Sequence, residues 1–271
     1  ESIWSESYER KLEDVLTLQN EVARAIAERI AVELTPEEKL RLAPARTVNP
    51  EVYETYLRGM YQLQQYTPNG VRTGLELLHR AVGLDPGEPL AHAGLAQAYT
   101  LIGHGRNPTP DAFPRASEAA KRALALDPLF PQAHAALGEI RLYFDWDWEG
   151  AEASFRRALQ LNPSLELAHA HYGWLLQLRG DMPAAVDHMA RARQIAPVTP
   201  IFSAWLGWLC WGDGQLERAE AEARRSLEVN ANFPWGMYVL GGVYAAREQF
   251  DEALATFERL RTVAPNLGDW G

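Results

Sequence analysis

The sequence predicts an all-α, right-handed solenoid of about six helix-turn-helix repeats plus an N-terminal helix, and three observations carry that reading. A short phrase recurs: Ala81-Val82-Gly83-Leu84-Asp85-Pro86 returns as Ala123-Leu124-Ala125-Leu126-Asp127-Pro128 and as Ala158-Leu159-Gln160-Leu161-Asn162-Pro163. Its stride is nearly fixed, because Pro128, Pro163 and Pro197 stand 35 and 34 residues apart and Pro265 lies 68 further on, twice the stride. Between the phrases, small residues recur where two helices would cross, as in Leu206-Gly207 with Ala219 and Leu240-Gly241 with Ala253. Two-helix units of this length cannot bury an apolar face alone, so they stack on their neighbours.

The elements follow in order. Residues 1–46 do not share the phrase. Ile3-Trp4-Ser5 reads as a strand end, and Val15, Leu18, Val22, Ile26 and Ile30 then fall on one helical face. A second start has Thr35 as N-cap, Pro36 in the first turn and Glu38 three residues after the cap. Residues 44–50 read as a linker, so 1–46 is the helical end of a neighbouring domain and 47–271 is the repeat domain. Each unit from Glu51 on has an inner helix, a turn and an outer helix, and proline after the outer helix stops it. Two units are lengthened between their helices, at residues 66–70 and, by more, at 103–110. The last outer helix presents Ala253, Leu254, Phe257 and Leu260 with no polar cap behind it. Self-association through that helix, a fold-back of Trp270 or a further repeat would each cover it.

Composition narrows the function. The formal charge of −10 repels phosphate backbones, so nucleic acid is not expected as a partner. The single cysteine, Cys210, leaves no intrachain disulfide and reads as a small buried hydrophobe among Leu206, Leu209 and Trp211. No apolar run reaches the roughly 18 residues that span a membrane. A chain that opens at Glu1 reads as a piece of something longer. The compartment stays open, with the cytoplasm favoured over the periplasm.

No constellation for catalysis, metal or cofactor emerges. Phosphate loops, nucleophile elbows and His-Glu-x-x-His are all missing from the sequence. His92, His134 and His169 each sit between alanines at the same place in successive units, so repetition accounts for them. His169 and His171 are two apart, unlike the i, i+4 pair of a helical zinc site. Asp145, Asp147 and Glu149 stand where an outer helix begins, where carboxylates cap free amides; Trp146 and Trp148 are expected to wedge between units there.

Several stretches carry a family resemblance. Trp4-Ser5-Glu6-Ser7-Tyr8-Glu9-Arg10-Lys11-Leu12, with Leu18-Gln19-Asn20-Glu21-Val22-Ala23, resembles the end of the TolB-like α/β domain of large bacterial signalling proteins. Tyr56-Leu57-Arg58-Gly59, Thr67-Pro68 and especially Phe144-Asp145-Trp146-Asp147-Trp148-Glu149-Gly150-Ala151-Glu152 resemble the tetratricopeptide (TPR) region that follows it. The resemblance implies a parent protein with a variable output module: a winged-helix DNA-binding domain, an adenylate cyclase or a serine/threonine kinase. None of those modules is represented in these residues, and their activities are not assigned to them.

Candidate binding residues come from the aromatics. Five of nine tryptophans fall between Trp174 and Trp235. With the Leu-Gly pair counted as positions seven and eight of a unit, positions two, five, nine and twelve face the groove lined by inner helices. These are Gln132, Ala135, Glu139 and Leu142 in the third unit and Leu167, Ala170, Trp174 and Gln177 in the fourth. They are Ile201, Ala204, Trp208 and Trp211 in the fifth, and Trp235, Tyr238, Gly242 and Ala245 in the sixth. Trp174, Gln177, Trp208, Trp211, Trp235 and Tyr238, bordered by Trp205, thus form the expected partner site. Lack of charge is not its signature, since residues 89–105 are uncharged too; the bulk of the rings is. No Lys or Asn stands at these positions to clamp a terminal carboxylate. The expected function is therefore a non-enzymatic sensory or scaffolding module that binds a protein or peptide segment. The alternatives are a sensor stacking a sugar on Trp174, Trp208 and Trp211, or a dimerisation arm.

Overall fold

The computed structural model describes residues 49–104 and 109–264. The helix expected within 11–32, the tip of the longer insertion and Trp270 lie outside the described residues. The chain divides into two compact units, residues 1–94 and 95–271. Among the described residues every regular element is helical, as the repeat phrase requires, and twelve α-helices follow one another.

The first unit holds α1 (Pro50–Leu63), α2 (Pro68–Leu84) and the start of α3 (Pro89–Gly103). Asn49 caps α1 by accepting from the Glu51 amide at 2.9 Å, and Thr67 caps α2 by accepting from Gly70 at 3.0 Å. Val52, Ala81 and Ala91 form its core.

The second unit continues with α4 (Ala112–Leu126), α5 (Pro131–Ile140) and a π-helical turn, Arg141–Asp145. After it come α6 (Trp148–Leu161), α7 (Glu166–Leu178), α8 (Met182–Ile195), α9 (Pro200–Gly212), α10 (Leu216–Val229), α11 (Pro234–Ala246) and α12 (Phe250–Val263). Outer helices (α6, α8, α10, α12) pack on the inner helix before them, and α9 also packs directly on α11. The inner helices therefore form a layer of their own.

The recurring phrase has a physical explanation. Its alanines Ala81, Ala123, Ala158 and Ala192 are fully buried, where a larger side chain would hold helices apart. Its Asp or Asn ends the outer helix in extended backbone and turns the chain with its own side chain. Asp85 accepts from Gly87, Asp127 from Leu129, Asn162 from Ser164 and Asn230 from Asn232, all at 2.8–3.0 Å. Ala196 lacks that acceptor, and its backbone departs from the shared conformation: ψ is 69° there against 97–102° at the four Asx residues. The repeated histidines belong to the same turn. Nε2 of His92, His134 and His169 meets the carbonyl oxygen of Pro86, Pro128 and Pro163 at 2.9, 2.9 and 3.1 Å. A carbonyl only accepts, so each ring carries its proton on Nε2.

The turn inside each unit repeats as well. Trp146, Gly180, Gly214 and Glu248, spaced by 34 residues, all adopt positive φ. In the last three the next amide reaches back five residues: Asp181 to Leu176, Gln215 to Cys210 and Gln249 to Tyr244. At Trp146 it reaches back six, from Asp147 to Arg141. The stride of 35 between Pro128 and Pro163 thus has a location: its surplus residue is taken up in the π-helical turn. Trp146 does not wedge between units; it is 72% exposed, because the left-handed residue of this turn projects outward. Trp148 does pack, against the cluster of Leu142, Ala151, Phe155, Tyr172 and Leu175. Asp147 caps α6 as expected, accepting from Gly150 at 2.9 Å.

Candidate binding surface

The inner helices α5, α7, α9 and α11 bring two kinds of side chain together. On α9, Trp205, Trp208 and Trp211 recur every three residues and so lie along one side of the helix. Trp174 of α7 packs on Trp208 with ring centroids 4.8 Å apart and meets Trp205 edge-on at 5.9 Å. Trp211 meets Tyr238 of α11 at 6.1 Å, and Tyr238 meets Trp235 at 6.0 Å, both edge-on. Gly242 lies beneath Trp211: a Cβ there would stand 2.3 Å from the indole, so only glycine admits the ring. All six rings and Gln177 are half-buried, neither lost in the core nor fully in water.

The other expected positions divide. Gln132 and Leu167 are half-buried and Ala245 is exposed, but Ala135, Glu139, Leu142, Ala170, Ile201, Ala204 and Gly242 are buried. The counted position five therefore faces packed helices in the third, fourth and fifth units rather than a groove, and position two does so only at Ile201. Leu142 sits in the π-helical turn, where the extra residue draws its side chain into the core.

Beside the rings lies a polar group that the residue pattern did not announce. Glu139, 5% exposed, hydrogen bonds Thr100, and its carboxylate stands 3.6 Å from Nε2 of His171. The Thr100 hydroxyl also lies within reach of the Gln97 carbonyl, to which it donates at 2.8 Å. Burial pushes the Glu139 pKa up to about 8, against the opposing effect of the Thr100 bond. Burial likewise lowers His171 to about 3, with His104 adding to the effect, and lowers His104 to about 4. Tyr143, held well above its ordinary range by burial and by Glu139, shares a 3.2 Å hydrogen bond with Nδ1 of His171. His104 stacks edge-on against Tyr143 at 4.4 Å, and His171 against Trp205 at 5.7 Å, which joins the polar group to the rings. The legible signal was Glu139, the one charged residue of α5.

Cys210 is fully buried, and burial raises its thiol pKa, as befits a small hydrophobe. Among the described residues no three His, Cys, Asp or Glu side chains converge as metal ligands, and no helix is long and apolar enough to cross a membrane. At the far end α12 exposes Phe250 and Leu254.

Paired helices, left-handed turns at a fixed stride and a separate inner layer define an α-solenoid of TPR type. The comparisons agree on the fold. The chain superposes on the Cut9–Hcn1 hetero-tetramer of APC/C with a TM-score of 0.63, at 15% identity over 93% of this chain and 45% of that one. It matches PilW, a type IV pilus biogenesis factor, with a TM-score of 0.57, 16% identity and coverage of 81% and 96%. It matches a thermophilic TPR protein of Thermus thermophilus with a TM-score of 0.53, 21% identity and coverage of 75% and 99%. In sequence, 116 residues are 33% identical to a putative adenylate cyclase 3 of Rhizobium meliloti (strain 1021). That match covers 42% of this chain and only 20% of the relative's length. No family model matches.

Proposed function

We propose that this chain is a non-enzymatic interaction module that binds a partner segment on the aromatic face of α7, α9 and α11, within a larger bacterial signalling protein. One observation carries the reading. Six aromatic rings from three consecutive inner helices touch in two groups, linked along α9, and keep part of their surface in water. Rings whose only task is packing would be buried like Phe155, which is fully enclosed. Half-exposed aromatics with well-defined rotamers are the usual anchors of recognition surfaces. The partial likeness to a putative adenylate cyclase supports an output domain elsewhere in the parent protein, to which the array would pass the result of binding. The test is a partner recovered with the wild-type chain and re-measured with Trp208→Ala and Trp211→Ala. Each is expected to weaken binding about tenfold or more while leaving helical content unchanged. Unaltered affinity in both would falsify the reading.

A second reading has its own observation: Phe250 and Leu254 are 67% and 60% exposed on one side of α12. Self-association through that helix would bury them. Light scattering at two concentrations checks it, and a strictly monomeric chain excludes it.

A further inference from the structure

The geometry points to a particular occupant of the aromatic face: an uncharged, proline-rich segment in extended conformation, an inference that rests on the partner-binding reading above. Among the described residues, the indole N–H groups of Trp174, Trp205, Trp208 and Trp211 have no hydrogen-bond partner, and all four remain open to solvent. The face therefore offers a row of donors together with ring surface. Its acceptors are few, chiefly the side chains of Gln177 and Tyr238.

Charge narrows the occupant further. Helices α9 and α11 carry no charged residue and α7 carries only Glu166, in a chain of net charge −10. A segment rich in Lys, Arg, Asp or Glu would lose hydration there and find no opposite charge in return. The ligand must supply acceptors for indole N–H, apolar surface for ring faces, and few donors of its own. Proline meets all three conditions. It has no backbone N–H, polyproline II leaves its carbonyls unpaired, and the pyrrolidine ring lies flat on an indole. A helical segment satisfies its own carbonyls and would strand the indole donors. A sugar brings hydroxyl donors that this face cannot match with acceptors. The spacing also fits: Trp205 and Trp211 are six residues apart on one helix, about 9 Å along its axis. One turn of polyproline II advances about the same distance.

The test uses the full chain and three probes: a capped, uncharged proline-rich dodecapeptide, a capped amphipathic helical peptide of equal length, and cellohexaose. Binding is followed by tryptophan fluorescence and calorimetry. The proline-rich peptide is expected to bind saturably, and Trp208→Ala to abolish it. Trp208→Phe keeps the ring and removes the donor, and is expected to weaken binding about five- to tenfold with an unchanged circular dichroism spectrum. Failure of the proline-rich probe to saturate, or full affinity in Trp208→Phe, overturns the inference. If the helical peptide binds instead and Trp208→Ala abolishes that, this inference falls while the partner-binding reading stands. If only the hexasaccharide binds, both fall; if no probe binds, this inference falls and the partner-binding reading is decided by the recovered partner's affinity for Trp208→Ala and Trp211→Ala.

Discussion

The third unit and the two that end the array use one helical plan to different ends. In the third, an extra residue is folded into a π-helical turn, and a carboxylic acid and a tyrosine are drawn into the interior, where they meet a histidine from each neighbouring unit. In the fifth and sixth the stride is a regular 34, the inner helices carry no charge, and the rings stay at the surface. The same layer position holds Glu139 in one unit and Trp174 and Trp208 in the next two. A buried acid stabilises only while it keeps its proton and its partner, whereas half-exposed rings leave most of their worth for a ligand. Substitutions in the third unit should therefore register in stability, and substitutions among the rings in binding.

The largest expected effect tests how each unit closes. Phe155 is fully buried and fills the notch left by Gly138, where a Cβ would stand 2.4 Å from its ring. In the fifth unit Gly207 instead lies against the Ala219 carbonyl, 3.1 Å from where a Cβ would stand, with Val239 next at 3.3 Å. Phe155→Ala is expected to cost roughly 3–5 kcal/mol, measured by urea unfolding. A loss below about 1 kcal/mol would mean that the third unit closes without it.

The second effect is pH dependence. His104 and His171 have lowered pKa values in the folded chain, so their contribution is present above the unfolded histidine value near 6.5 and lost as pH falls below it. Glu139 is raised, so its contribution is fully present below the unfolded glutamate value and lost as pH rises toward 8. His169 and His188, lowered chiefly by burial, add to the acid limb. Stability should peak near neutrality and fall by about 2 kcal/mol by pH 5 and by a similar amount by pH 8. Glu139→Gln removes the alkaline limb and steepens the acid one. Thermal melting across this range checks both slopes; an alkaline limb that persists in Glu139→Gln assigns it elsewhere.

The smaller effects sharpen the contrast within the turns. Glu248 holds the left-handed position that Gly180 and Gly214 fill in the two units before it. Glu248→Gly is expected to stabilise by about 0.5–1 kcal/mol by removing Cβ strain, less its cost in chain entropy. Ala196→Asp restores the missing Asx acceptor before Pro197, and a gain of about 0.5 kcal/mol is expected in the same melt. No gain would mean that the backbone there is set by its neighbours.

Much of this was legible before any tertiary contact was known. The Ala-x-x-Leu-Asx-Pro phrase encodes a close helix crossing, a helix stop and a side-chain turn, all local events, so the all-α repeat could be read from spacing alone. The repeated histidines were legible for the same reason, since each reaches a carbonyl six residues away. The bulk of the rings was visible too, because i, i+3 spacing places Trp205, Trp208 and Trp211 on one side of α9 by helix geometry alone. Only the tertiary structure decided that Glu139 and Leu142 leave the surface, that Trp146 enters it, and that His171 joins a carboxylic acid from another helix. Those outcomes depend on where one surplus residue is absorbed and on which side chains meet across helices 30 or more residues apart. Such choices are made by packing between units, and no periodicity within a unit encodes them.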